Sequence, residues 1–487
     1  MKAKWIALVM ALLFVVAPVL AGVASAQQQP VTIKIGALLP LTGDLQSYGE
    51  RAQAAVEFAV QEMNQYLKEK NAWFRLQLIV EDTQTKPDVA VQKFSSLVAQ
   101  GVKFIVGPMT SAEVKKVRGP ADQQNVLIIS PSSTAIELAI PGDNVFRFCP
   151  ADNVQSKAIG ALAQKLGLKA VVIINRADTW GNGLRDATKK VLESEGIKVE
   201  KIYSYNAESP AFSSIATNLN DELGNLLKEY KPNEVAVVLI AFNEAKDLFV
   251  EARKYPNPSK VVWIGSDGTA LLTEIVDDPV SGAFAAETLF INPIFSPAAT
   301  QEQAKVAQYV KQKLGVEPDA YALAAHDAVV ALTLAILKAG PTSDMDALVN
   351  KVKQLIPQIT QSDEFAKYAA TGKFPLNKAG DRATADYDLW IVMKNESNGK
   401  YAWVKAGKYK GLENKIEFIK LPNGKTYLDL FNEKFAPATS TANAKTSSPS
   451  TAASAKAGGK GGSNAALIAG IIILIIIIIG AVYVAKK

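Results

Sequence analysis

Two α/β lobes in series, each a parallel sheet with helices on both faces, are what this sequence predicts. Three observations carry that expectation. Short β-branched apolar runs alternate with stretches of helical spacing from residue 30 onward. The alternation restarts near residue 151. The chain is 487 residues long and 48% hydrophobic, more than one small domain needs and too apolar for a disordered protein.

The first run, Val31–Leu39, reads VTIKIGALL and predicts a strand. After the loop PLTGDLQSYGE, Ala55, Phe58, Ala59, Met63, Tyr66 and Leu67 recur at helical spacing. Leu76–Val80 predicts the next strand, and Pro87 opens a helix with the apolar face Ala90, Phe94, Leu97 and Val98. Phe104–Val106 predicts a third strand, followed by a helix and the strand Val126–Ile129. In the second run, a helix over 154–166 precedes the strand Ala170–Ile174. A helix over 183–195 precedes a strand near Val199–Tyr203, and Val235–Ile240 and Val261–Ile264 follow. Residues 320–338, AYALAAHDAVVALTLAILK, predict a long buried helix. The pattern then changes. Asp386–Met393 and Tyr401–Val404 flank NESNGK, and Ile416–Ile419 and Thr426–Leu430 flank a turn with Asn423-Gly424. Both read as antiparallel additions to the second lobe.

The net charge of +6 belongs to the two ends. Two of the 53 bases precede residue 27 and five follow Pro437, leaving 46 against 47 acids in the body. A near-neutral body offers no electrostatic footprint for nucleic acid. Residues 1–26 read as a signal peptide: Lys2 and Lys4, an apolar run from Trp5 to Leu20, and Ala24-Ser25-Ala26. Residues 465–485 contain no charge and span roughly 31 Å as a helix, the thickness of a bilayer core. Lys486 and Lys487 beyond them are expected on the cytoplasmic side. The Ala/Ser/Thr/Gly-rich stretch 436–464 reads as a disordered linker. The sequence thus predicts an extracytoplasmic body tethered by a single C-terminal membrane helix.

Catalytic chemistry is hard to assemble from these residues. Cys149 and His326 are the only cysteine and histidine, which excludes Cys-rich metal sites and most histidine-based catalysis. In Gly181-Asn182-Gly183 the third glycine of a dinucleotide loop is replaced by Asp186, an acid that repels pyrophosphate. His326 and Asp327, neighbours on a helix, are not expected to face each other. Asn395-Glu396-Ser397 is a glycosylation sequon on an exposed turn. No P-loop, nucleophile elbow or paired-carboxylate motif is present, so no enzyme activity and no cofactor is expected.

Ligands in open α/β sheets bind beyond the carboxyl ends of the strands. The loops there are GDLQSYGE, GPMTSAE, SPSST, RADTWGNG, FNEA and GSDGT. Ser111 is placed near a helix start, and Ser132, Ser133 and Thr134 follow another strand. Asp267 stands between Gly265 and Gly268 in Gly-Ser-Asp-Gly. Hydroxyls and N–H groups suit a carboxylate, Asp267 suits an ammonium, and Tyr48, Trp180 and Phe242 suit an apolar side chain. Taken singly, each Ser or Thr fits a helix cap as well, and Asp267 fits a turn.

In that order and spacing the loops resemble the leucine/isoleucine/valine-binding proteins of branched-chain amino acid ABC transporters, type 1 periplasmic binding proteins. The resemblance covers about residues 31–435. It rests on IKIGALLPLTGDLQSYGE, VEDTQTKPDVAVQKFSSLVAQGVKFIVGP, ISPSST, VFRFCPADNVQSKAIG, INRADTWGNG and WIGSDG. It implies that Ser111, Ser132 and Thr134 hold the ligand's carboxylate and ammonium, and that Asp267 takes the ammonium from the second lobe. Tyr48 and Trp180 become pocket walls. Phe242 falls where the family has a tyrosine, and His326 aligns with a tyrosine of the cleft. The C-terminal tether resembles archaeal versions. The resemblance implies lobe 1 over 30–148 and 282–365, lobe 2 over 149–281 and 366–435, a three-stranded hinge, and delivery to a separate ABC permease. The alternatives are a sensing ectodomain that signals through a partner, and a binder of a related amide or urea-like solute.

Overall fold

The computed structural model describes residues 29–436. The expected signal peptide at 1–26, the membrane span at 465–485 and all but the first residue of the linker at 436–464 lie outside them. Within them the elements run β1 Val31–Leu39, α1 Gln46–Glu69, β2 Phe74–Asp82, α2 Pro87–Ala99, β3 Phe104–Val106, α3 Ser111–Gln123, β4 Leu127–Ser130 and β5 Val145–Arg147. Then come α4 Asp152–Leu166, β6 Ala170–Arg176, α5 Thr179–Ser194, β7 Lys198–Tyr205, α6 Phe212–Glu229, β8 Val235–Ile240, α7 Ala245–Ala252, β9 Val262–Ile264, α8 Thr273–Asp277, α9 Pro279–Glu287 and β10 Ile291–Ser296. The chain continues with α10 Gln301–Leu314, α11 Ala320–Ala339, α12 Met345–Ile359, α13 Asp363–Tyr368, β11 Asp386–Lys394, β12 Tyr401–Lys410, β13 Lys415–Phe418 and α14 Tyr427–Phe435.

These elements make a bilobed α/β fold with two sheets. The first, in the order β2-β1-β3-β4-β5, is parallel throughout. Its central strand sorts side chains by the two-residue period of a strand. Ile33, Ile35, Ala37 and Leu39 join one core with Met63 and Val330, while Leu38 joins another with Phe94, Leu97, Ile105 and Ile128. The second sheet has the order β13-β12-β11-β10-β9-β8-β6-β7; β7, β6, β8, β9 and β10 are parallel, and β11 to β13 extend it antiparallel. In each sheet the strand order reverses once, between β1 and β3 and between β6 and β8. These switch points open crevices at the strand carboxyl ends.

Sheet membership shows the chain passing between the layers three times: from β5 to α4, from β10 to α10, and from α13 to β11. Residues 282–296, assigned from the sequence to the first lobe, supply most of α9 and all of β10, and β10 joins the second sheet. The third crossing is fastened to the first sheet. Arg147 donates its Nε to Asp381 at 2.6 Å, both side chains being 1% exposed, and its backbone pairs with Gly380 and Arg382.

The apolar helix α11 is buried on nearly every side against α1 and α12, as an all-round apolar helix requires. Among the described residues it alone is long and apolar enough to cross a membrane, but 94% of its apolar window is buried in the body. One expected strand is a helix: Thr426–Leu430 opens α14. Thr426 and Asp429 form a reciprocal capping box there, so local N–H satisfaction overrides the strand reading of the apolar residues Tyr427, Leu428 and Leu430. The Asn423-Gly424 turn is present, closed by a single antiparallel bridge between Lys420 and Thr426. The helix expected over 183–195 begins earlier, at Thr179, because the Asp178 carboxylate caps the Gly181 N–H at 2.7 Å. That same bond makes the Gly-Asn-Gly stretch the first turn of a helix rather than an open loop.

Candidate functional site

Six of the seven residues singled out in the sequence line one cavity between the sheets: Tyr48, Ser111, Ser132, Trp180, Phe242 and Asp267, joined by Leu45, Met109, Thr110, Gly268 and Tyr321. Each stands just past a strand end or in the first turn of a helix. Tyr48 follows β1, Ser111 follows β3, Trp180 follows β6 and Phe242 follows β8, so both switch points contribute. Thr134 does not line the cavity but is buried one layer behind it. Its N–H and that of Ala135 donate to Ser111 Oγ, each at 3.1 Å.

The hydroxyls have structural work that the sequence foresaw only in part. Thr110, not Ser111, caps α3, in a capping box with buried Glu113. Burial pushes the Glu113 carboxyl upward against the hydrogen bonds it accepts. Ser111 Oγ ties α3 to the 132–135 loop and keeps its own hydrogen to donate. Ser132 Oγ donates to the Met109 carbonyl at 2.8 Å. The first-sheet wall is therefore a pair of loops tied to each other, with Thr110, Ser111 and Ser132 lining the cavity.

The opposing wall is aromatic and acidic. Trp180 and Phe242 stack at 4.8 Å and 15°, and the Arg176 guanidinium lies 3.8 Å from the Phe242 ring centre. Gly268 permits that stack. A Cβ there would lie 2.5 Å from Trp180 Cη2, 2.6 Å from the Ala241 carbonyl and 2.9 Å from Phe242 Cδ1. Asp267 accepts from its neighbour's Gly268 N–H at 3.0 Å and from the Tyr321 hydroxyl. Burial nevertheless pushes its carboxyl above the usual range.

Two residues that sequence reasoning missed complete the site. Tyr321 occupies the cleft position expected for His326, which sits a turn and a half deeper in α11, away from the cavity. Tyr321 is aimed by Asp319, which accepts its N–H at 2.9 Å and pairs with Arg51 at 3.5 Å. The signal was an aromatic in the first turn of an apolar helix behind an Asp cap. Asp152 opens α4 inside the quoted stretch CPADNVQS. It is fully buried, and neither of its carboxylate oxygens has a hydrogen-bond partner among the described residues. Burial first, and the nearby charge of Asp267 second, hold its carboxyl well above the ordinary range. Two buried acids with raised affinity for protons make a receptor for a cation or a proton.

Contacts across the gap hold the cleft closed. The Tyr48 hydroxyl donates to the Asp267 carbonyl at 2.9 Å and also meets that of Ala270. Ser47 Oγ donates to Glu274 at 3.1 Å, Arg51 Nη2 to the Leu271 carbonyl at 3.1 Å, and Arg176 approaches Asp44 at 3.5 Å. The cavity left is about 30 Å³, room for one or two waters. Anything larger requires the lobes to part.

The family model described as "Receptor family ligand binding region" matches residues 51–395. An uncharacterized protein of Methanocaldococcus jannaschii is 34% identical over 373 residues, 74% of this chain and 87% of that one. A leucine-, isoleucine-, valine-, threonine- and alanine-binding protein of Pseudomonas aeruginosa is 26% identical over 378 residues, 76% of this chain and 92% of its own. The crystal structure of a leucine-binding protein from Thermotoga maritima superposes with a TM-score of 0.61 at 20% identity, over 76% of this chain and 97% of that one.

Proposed function

This chain belongs to the receptor family ligand binding region family, a non-catalytic ligand-binding class related to the branched-chain amino acid binding proteins of ABC transporters, and on that premise we propose that it captures a small amino acid between its closing lobes and delivers it to an ABC permease. The observation that carries the proposal is the meeting of opposite chemistries across one cavity. Ser111, whose hydroxyl hydrogen is free, receives the ligand's carboxylate beside Ser132, while the N–H groups of Thr134 and Ala135 hold Ser111 Oγ in place. Asp267, with Asp152 behind it, receives the ammonium. Trp180, Phe242 and Tyr48 enclose an apolar side chain, branched or otherwise.

The lobes we propose are 30–148 with 297–368, and 149–296 with 386–435, hinged at the three crossings. A ligand touching both lobes stabilises a closure wider than this one by the ligand's own volume, because only with the lobes brought together are all its partners present. The N-terminal signal, the Ala/Ser/Thr/Gly linker and the apolar C-terminal segment read as an anchored extracytoplasmic protein with its last lysines in the cytoplasm. The description of the family as a receptor region favours a second reading, a sensing ectodomain. Copurification with a permease and ATPase, or with a signalling partner, separates the two.

Calorimetry of residues 27–435 with leucine, isoleucine and valine tests the binding claim. Asp267→Ala is expected to weaken binding at least about a hundredfold, on the order of 3 kcal/mol, by leaving the ammonium buried without its partner. Unchanged affinity, or tighter binding of an amide that lacks an ammonium, rejects the assignment.

A further inference from the structure

Away from the cleft, side chains from three helices of the first lobe turn toward one point. Glu62 comes from α1, Glu302 from the first turn of α10 and His326 from α11, and one ligand atom of each lies within 4.8 Å of the other two. His326 is fully buried and Glu302 is 2% exposed. Lys305 Nζ donates to one oxygen of each acid, Glu62 Oε1 at 3.1 Å and Glu302 Oε2 at 2.7 Å. That leaves Glu62 Oε2, Glu302 Oε1 and His326 Nε2, and none of the three has a hydrogen-bond partner among the described residues. His326 Nε2 stands 4.0 Å from Glu302 Oε1, too far for a direct hydrogen bond.

The other face of the imidazole explains its direction. Adjacent residues on a helix are not expected to meet, yet His326 Nδ1 lies 3.0 Å from Asp327 Oδ1. Asp327 is itself fixed by the N–H groups of Ala370 and Thr371 at 2.7 and 2.8 Å and by the Thr371 hydroxyl at 2.6 Å. A carboxylate so held places the ring proton on Nδ1 and leaves the Nε2 lone pair facing Glu302 Oε1, with a Glu62 carboxylate oxygen beside them. Three electron-rich atoms facing one another in a dry interior repel; a cation among them converts that repulsion into ligation.

We infer that Glu62, Glu302 and His326 bind a divalent transition-metal ion of the zinc class, with Asp327 orienting the histidine and Lys305 balancing the second charge of the acids. One imidazole nitrogen with two carboxylate oxygens suits Zn²⁺ better than Ca²⁺ or Mg²⁺, which favour all-oxygen sets. Coordination at about 2.0–2.2 Å draws each ligand atom inward by less than about 1 Å. Entry is from the Lys305 side, where that side chain is 55% exposed and Glu62 18%. The ion fastens α1 to α11, and the cleft ends of those helices carry Tyr48 and Tyr321.

The full-length chain in detergent, stripped with a chelator, is titrated with Co²⁺ by visible absorption and then with competing Zn²⁺, with thermal unfolding followed in parallel. One Co²⁺ per chain, its bands lost as Zn²⁺ displaces it, and a rise in Tm with Zn²⁺ are expected. Glu62→Gln and His326→Gln should each weaken Zn²⁺ at least about tenfold. Glu62 is partly exposed, so its variant keeps the fold if the histidine variant does not. Absence of binding up to about 0.1 mM metal would overturn the inference, as it corresponds to too weak a site to fill. So would binding that survives both substitutions, which would place the ion elsewhere.

Discussion

Asp152 and Asp267 bring two acidic groups into a space that solvates neither. Burial raises both carboxyls above the ordinary value near 3.9, and the charge of Asp267 raises Asp152 further. The folded protein therefore holds protons that the unfolded chain has released, and stability falls as pH rises from the ordinary carboxylate range through the raised values. Ligand-free Tm should decline across that interval, and Asp152→Asn should shallow the decline. An ammonium ligand replaces those protons, so binding should release protons and weaken as pH is lowered through the same interval. Calorimetry in two buffers of different ionisation enthalpy reads this directly; identical heats would count against it. Beside them, Gly268→Ala drives a methyl into the Trp180–Phe242 stack. It should abolish measurable binding while the fold persists, as judged by circular dichroism. The sequence made Asp267 legible because glycines flank it. Asp152 was not legible, since an acid at a helix start is ordinarily a dipole partner, and only its burial beside another acid gives it a different role.

Helix starts decide where the first-sheet donors point. Thr110 caps α3 one residue before Ser111, so Thr110→Ala should cost about 1 kcal/mol in urea unfolding and also lower ligand affinity by loosening Ser111. Loss of stability with affinity unchanged would show that Ser111 is not a ligand contact. Strands were the more readable elements: β1, β3 and β8 occupy the residues their apolar runs predict. The failures lie where a short polar signal competes with apolar periodicity. Thr426-x-x-Asp429 reads as a cap only if the capping box outweighs the apolar residues around it, and Asp178 reads as a cap only if two glycines in the following turn are tolerated.

Closure depends on contacts of unequal worth. The Arg176–Asp44 approach is partly open to water, Asp44 being 42% exposed, so Asp44→Ala should weaken ligand binding only about two- to fivefold. Small-angle scattering should show a larger open fraction in that variant. The Arg147–Asp381 pair at the third crossing is dry. Asp381→Ala leaves the guanidinium uncompensated and should cost about 3–5 kcal/mol of stability, measured by urea unfolding. A loss below about 1 kcal/mol would mean that water reaches Arg147.

Hydrophobic periodicity along the chain determined that there are two α/β runs, and strand-end loops rich in hydroxyls, aromatics and one acid marked the region of the site. Those are local properties, set by side-chain spacing of two or 3.6 residues and by turn chemistry. The order of strands was decided only by tertiary structure, and with it the pair of switch points that face each other. So were the replacement of His326 by Tyr321 in the cleft, the pairing of Asp152 with Asp267, and the turning of His326 toward Glu62 and Glu302. Each of these depends on neighbours far apart in sequence, Tyr321 on Asp267 among them, and which buried groups share a neighbourhood is settled by how helices and sheets pack, not by the spacing of any one of them.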